Sequence, residues 1–185
     1  MPDRDKLAHH DQPGPTVPGA LIPQRLLIAA RPFGRSLTAP AVAAAIARGV
    51  SAAGRPAPDL CPIDALARGV CGAGGSEPDL CPIDALAHDA AEMRALLDGM
   101  SFDRRMRVAR AVVVACARLQ EHALAGSVAF EIATRARQGG VPTYAITAHN
   151  RLDAFDARML DLQLMLEART AKGLADAGRK LAELA

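Results

Sequence analysis

The stretch ARAVVVACA, Ala109 to Ala117, constrains the fold of this chain more than any other part of it. Three consecutive valines within an otherwise small and apolar run have the β-branched continuity of a strand buried on both faces, and strands of that kind belong to parallel sheets covered by helices on either side. A strand with one wet face would alternate polar and apolar residues, and this one does not. The chain is therefore read as an α/β domain, and its remaining segments are read for the helices and strands such a sheet needs.

They are present in alternation. QRLLIAA, Gln24 to Ala30, is an apolar run of strand length, and RPFGRSL after it is turn chemistry leading into a helix. That helix is capped by Ser36 or Thr38, tolerates Pro40 in its first turn, stacks Val42, Ile46 and Val50 on one face and stops at Gly54. PDLCPI at 58–63 reads as a second short strand. DALAHDAAEMRALLDGM reads as a helix with Leu86, Ala90, Met93 and Leu97 near one face and Gly99 at its end. LQEHALAGSVAFEIATRARQGG follows the valine strand as a helix with Leu124, Val128 and Ile132 inward and a Gly139-Gly140 stop; VPTYAIT and LDLQLMLEA are strands, and a helix from about Thr170 to Leu184 ends the chain. The expected fold is a Rossmann-like layered domain with a mostly parallel sheet.

Length and charge bound the function. The 185 residues suit one domain, taken to run from 25 to 185 behind a tail at 1–24 that is rich in proline, glycine and charge. Lys and Arg number 22 against 20 Asp and Glu, and aromatics are 3% with no tryptophan; neither a phosphate-tracking surface nor base-stacking platforms are expected, so nucleic acid is not a predicted partner. No apolar run reaches bilayer-spanning length and the opening residues lack the apolar core of a secretory signal, so no membrane is predicted and the cytoplasm is the expected location. His9 and His10 are read as solvated tail residues.

Open α/β sheets bind ligands beyond the carboxyl ends of their strands. The segments placed there by the pattern are Ala30 to Leu37, Ala115 to Gly126 and Thr147 to Arg151, all expected to be loops. They bring Arg31, Arg35, Ser36, Arg118, Gly126, His149 and Arg151 to one edge, a set that suits a carboxylate or phosphate; the competing reading is ordinary surface arginines.

A tandem duplication lies inside this framework. Residues 47–66 and 67–86 agree at 15 of 20 positions and share PDLCPID. Cys61, Cys71 and Cys81 stand ten apart, whereas structural zinc sites use thiolates two to four residues apart and redox pairs use CxxC, so no metal site is predicted. Two copies cannot build a solenoid, and one strand-like copy is expected to be surplus or added at a sheet edge. GAGG at 72–75 lacks the rest of either phosphate-binding fingerprint.

Several of these stretches together resemble the glycerate kinase family, which phosphorylates glycerate with ATP. IAARPFGRSLTAPAVAAAIARGV is similar to its opening strand, loop and helix of the IAPDSFKGSLSA type, and LCPID to the strand leading into its ADGGEGT loop. FDRRMRVARAVVVACARLQEHALAGSVAFEIATRARQGGVPTYAI resembles the strand carrying GEGRLD, the QSLxGK turn, and the helix and strand beyond; LDLQLMLEART resembles a segment near the family's C-terminus. The resemblance runs from about Arg25 onward and implies a Rossmann-like unit that lacks the second α/β domain which members carry as an insertion. Within the motifs, Arg31 stands at the place of an Asp, Gly34 at that of a Lys and Arg35 at that of a Gly, while Phe33, Ser36 and Leu37 are kept. GEGRLD has become Ala115 to Gln120, which keeps Arg118 and Leu119 and neither carboxylate; in the next turn Gly126 is kept between His122, Ala123 and Ser127.

Those changes bear on chemistry. Phosphoryl transfer is mostly positioning and electrostatics, with carboxylates holding Mg²⁺ and cations neutralising the moving phosphate, and removing one such group costs roughly a hundredfold in rate. The resemblance thus implies ATP and Mg²⁺ as cofactors if activity is retained, with activity expected to be weak or lost. Two other classes stay open: a non-catalytic binder of a small anionic metabolite, glycerate-like, or of a partner protein; and a thiol or metal module built on Cys61, Cys71, Cys81 and Cys116. A domain without its inserted companion exposes an apolar face, so a homodimer is expected as well. Cys116 is read as a buried strand cysteine.

Overall fold

The computed structural model describes residues 25–63, 90–120 and 127–184. Five strands form one sheet: β1 (Arg25–Ala30), β2 (Asp59–Pro62), β3 (Ala109–Gln120), β4 (Thr143–Arg151) and β5 (Leu162–Glu167). Their order is β2-β1-β3-β4-β5, and every neighbouring pair is parallel. The helices are α1 (Ala39–Ala52), α2 (Ala90–Gly99), α3 (Phe102–Arg107), α4 (Val128–Gln138), α5 (Ala154–Met159) and α6 (Ala171–Leu184). This is the Rossmann-like layered α/β arrangement expected of the valine strand: Ala111 to Cys116 are all buried, with a helical layer on each side. The chain sits on one side of β1 for β2 and on the other for β3, so the winding reverses between β1 and β3.

On one face Ile28, Val113 and Ile146 of the sheet meet Val42, Ile46 and Val50 of α1 and Leu174 and Leu181 of α6. The i, i+4, i+8 stripe of α1 is buried as its spacing requires, Thr38 caps it, and Gly54 ends it in a left-handed conformation. The two helices approach so closely that a Cβ at Gly49 would overlap the carbonyl oxygen of Ala175, and one at Gly178 that of Ile46. Glycine at these places is a packing requirement, since any side chain would drive the backbones apart.

The opposite face is built from larger side chains. Met93 and Leu97 of α2, Phe102 and Met106 of α3, and Val128 and Ile132 of α4 pack on Leu27, Val112 and Val114. Ion pairs tie this layer together. Arg105 of α3 donates two hydrogen bonds to the Asp59 carboxylate, at 2.8 and 2.7 Å, and a third to the Leu60 carbonyl. The edge strand β2 is thereby fastened to α3. Arg135 of α4 reaches Glu131, Asp98 and Asp103, which links α4 to the end of α2 and the start of α3.

Three expectations need amendment. Ala115 to Gln120 and Thr147 to Arg151 are not loops: β3 and β4 continue as a paired ladder, Arg118 opposite His149, Leu119 opposite Asn150 and Gln120 opposite Arg151. Each strand supplies the other's hydrogen bonds, and one strand's pattern does not show that. The helix placed from Leu119 starts at Val128 instead, where the Ser127 hydroxyl accepts from the Phe130 N–H. The short helices α3 and α5 add to the elements the pattern predicts, and the sheet, expected to be mostly parallel, is parallel in all its described strands. The tail at 1–24, Leu86, Leu124, Gly126 and the second PDLCPID lie outside the described residues; the first PDLCPID supplies β2, an edge strand.

Candidate functional site: a cationic rim at the carboxyl edge of the sheet

The winding reverses between β1 and β3, and in doubly wound sheets the carboxyl ends of the strands at such a reversal are the place where ligands bind. Arg31 is the first residue beyond β1. Its N–H donates to the Ala115 carbonyl at 2.8 Å, while the Ala30 carbonyl accepts from the Ile63 N–H, so the backbone here is held from both sides. The Arg31 Nε is buried and has no hydrogen-bond partner among the described residues. A guanidinium N–H shut away from water without an acceptor is unfavourable by an amount comparable to a lost hydrogen bond to a charged group, roughly 1–3 kcal/mol. Such a group is stable in its place once an acceptor fills the gap.

The loop beyond Arg31 is a tight turn. Phe33 and Leu37 form an isolated antiparallel bridge, closed by Phe33 N–H to Leu37 carbonyl at 2.8 Å, and Gly34 takes a positive φ that suits glycine. Phe33 is buried, whereas Arg35 and Ser36 are exposed at the tip. The turn delivers the chain to Thr38, whose hydroxyl accepts from the Ala41 N–H and whose carbonyl accepts from the Val42 N–H to start α1.

Arg118 and His149 sit side by side in the β3–β4 ladder, both exposed, and Arg151 follows two residues on. From Ala115 to Arg118 is three residues of strand, roughly 10 Å, so the backbone places these cations further along the rim than Arg31. Local bonds reinforce the ladder here. The Thr147 hydroxyl, fully buried, lies 3.2 Å from the Ala117 carbonyl and accepts from the His149 N–H, and the Cys116 thiol donates to the Arg118 carbonyl at 3.3 Å.

One cation was missed by sequence reading. Arg169, just past β5, donates from Nε to the Ala148 carbonyl and lies 4.0 Å from Glu167, whose other oxygen accepts from the Asn150 N–H. A basic residue at the end of the last strand was the available signal. The carboxyl edge thus carries Arg31, Arg35, Arg118, His149, Arg151 and Arg169 against Glu167 and Asp153. Gly126 belongs to the undescribed segment between β3 and α4.

The cysteines do not assemble. Cys61 and Cys116 are buried thiols in the core beneath α2 to α4. Burial pushes the Cys61 thiol up, despite the nearby Arg105 guanidinium, and keeps it in its unreactive form. Among the described residues no three His, Cys, Asp or Glu side chains gather as metal ligands; Cys71 and Cys81 lie outside them. A shallow cavity of about 360 Å³ between Arg137, Tyr144, Asp161 and Gln163 lies at the amino end of β4 and β5, away from the cationic rim. The switch point is the stronger candidate, because there a buried donor lacks an acceptor among the described residues. No described helix is long and apolar enough to cross a membrane.

No family model matches this chain, and no curated protein matches it. Among solved structures, a protein described as pilus assembly-related, from Burkholderia pseudomallei, aligns over 88% of this chain and 91% of its own at 17% identity, with a TM-score of 0.40.

Proposed function

We propose that the chain binds a small anion, a carboxylate or phosphate, in the crevice between the ends of β1 and β3, and that phosphoryl transfer of the glycerate kinase kind is weak or lost in it. The observation that carries this reading is the buried Arg31 Nε, which has no acceptor among the described residues, at the switch point of the sheet. An anion there accepts from Arg31 and lies near the positive end of the α1 dipole, both favourable to negative charge. The exposed Arg35 and Ser36 extend the same surface. The charged residues of the loop after β1 are the cations Arg31 and Arg35, whereas Mg²⁺ is held by carboxylates, so ATP and Mg²⁺ enter as ligands to be tested.

Calorimetry with inorganic phosphate, glycerate, 2-phosphoglycerate and Mg-ATP, followed by a turnover assay at high enzyme concentration, separates the readings. Saturable binding of a small anion without turnover, weakened at high salt and abolished in Arg31→Met, supports the proposal. Glycerate phosphorylation by Mg-ATP restores the kinase reading. No saturable binding of any of the four defeats both.

A further inference from the structure

β5 is the last strand of the sheet, and no described strand pairs with its outer side. The Ala168 N–H donates to the Thr147 carbonyl, so alternation along a parallel strand turns the peptide groups of Leu164 and Leu166 toward β4 and those of Met165 and Glu167 outward. Leu164, Met165 and Leu166 are all partly exposed, and the strand has neither the proline nor the lysine that blunts an edge. Beside it on α5, Phe155 and Met159 are 69% and 56% exposed, one turn apart on the same helix surface.

We propose that this edge binds a second copy of the chain, with the two β5 strands pairing antiparallel about a two-fold axis at Met165. Backbone polarity selects that axis. A residue on the two-fold of an antiparallel pair exchanges both hydrogen bonds with its own copy, so its N–H and C=O must point outward, and Met165 is the central residue that does so. In this register Leu164 lies opposite Leu166 of the second copy, leucine on leucine, twice. The irregularity at Gln163 then sets Asp161 level with Ala168 and Arg169 of the second copy, within reach of the exposed Arg169 side chain. The operation that matches the leucines therefore also matches opposite charges. Phe155 and Met159 flank the seam and are covered by it, which gives the strand pairing the apolar area that a short edge alone lacks.

Sedimentation velocity of the full chain at micromolar concentration is expected to show twice the mass of one chain. With Cys71→Ser and Cys81→Ser in place, Met165→Cys is expected to form a covalent dimer on mild oxidation, because a hydrogen-bonded antiparallel pair places Cα atoms about 5.5 Å apart, within disulfide range. Phe130→Cys, on α4, is expected to cross-link far more slowly. Asp161→Arg is expected to weaken the dimer by about tenfold, and adding Arg169→Asp to restore it. A monomeric wild type, whether its edge is bare or covered by its own chain, overturns the proposal. So do equal cross-linking at 165 and 130 and a double charge variant that fails to recover.

Discussion

On one side of the sheet α1 and α6 touch backbone to backbone through Gly49 and Gly178; on the other α2, α3 and α4 stand off on Phe102, Met93 and Met106 and are tied down by Arg105 and Arg135. The first layer is dry and small, and its stability lies in close approach. The second is bulky, and its position is set by charges at its margins. The difference teaches that one sheet can be covered by two mechanisms with different sensitivities: the glycine face to any added atom, the other face to lost volume and to lost charge.

Four changes break or sharpen that comparison. Phe102 is fully buried on the bulky face, and Phe102→Ala is expected to lower stability by about 4 kcal/mol in urea unfolding, through lost transfer energy and the cavity left behind. Next comes the opposite face: Gly178→Ala places a methyl into the Ile46 carbonyl and is expected to cost about 3 kcal/mol. Its control is Gly139→Ala, where the closest atom the added methyl meets is the Met106 Cε, the end of a flexible side chain, at 3.0 Å, with the Arg135 carbonyl next at 3.4 Å, and little change is expected. If the two alanines behave alike, close approach is not what holds α1 to α6.

Arg135→Met tests the charge ties. Burial works against the Arg135 guanidinium, but its hydrogen bonds to Asp98, Glu131 and Asp103 outweigh that and hold its pKa above the ordinary arginine value. Removal leaves three carboxylates facing one another, two of them well exposed, and about 2 kcal/mol is expected to be lost at neutral pH, with partial recovery in acid as the carboxylates protonate. The smallest effect belongs to Asp59. The hydrogen bonds from Arg105 keep its carboxyl below the usual range, although burial opposes this. A depressed folded pKa stabilises above the unfolded value, about 3.9, and the benefit disappears as pH falls through the folded value. Because Asp59 is 43% exposed, Asp59→Asn is expected to cost less than about 1 kcal/mol, with the gap from wild type closing below about pH 4 in thermal melts.

The same contrast governs what the sequence made legible. Val42, Ile46 and Val50 announce their face by spacing, and Val112 to Ala115 announce a doubly covered strand by composition, because those signals are local. Gly49 and Gly178 read only as weak points in helices; their purpose lies in a contact between residues far apart in the chain. Arg105 with Asp59 and Arg135 with Asp98 are separated by 46 and 37 residues and obey no period. The ends of β3 and β4 were misread as loops for a related reason, since each is a strand only because the other lies beside it. At the site, Arg31 and the rim arginines were visible as charges after strands. That one of them buries a donor without an acceptor was not, because burial is a property of the packed crevice.

The rim proposal stands on that donor, and it can be watched directly. In an NMR titration of the full chain with inorganic phosphate, the Arg31 Nε–H resonance, assigned by its loss in Arg31→Met, is expected to shift saturably and to resist solvent exchange as the acceptor arrives. An Arg31 resonance that stays put, or one that moves no more than those of the exposed Arg107 and Arg110 at the opposite edge, would contradict the account.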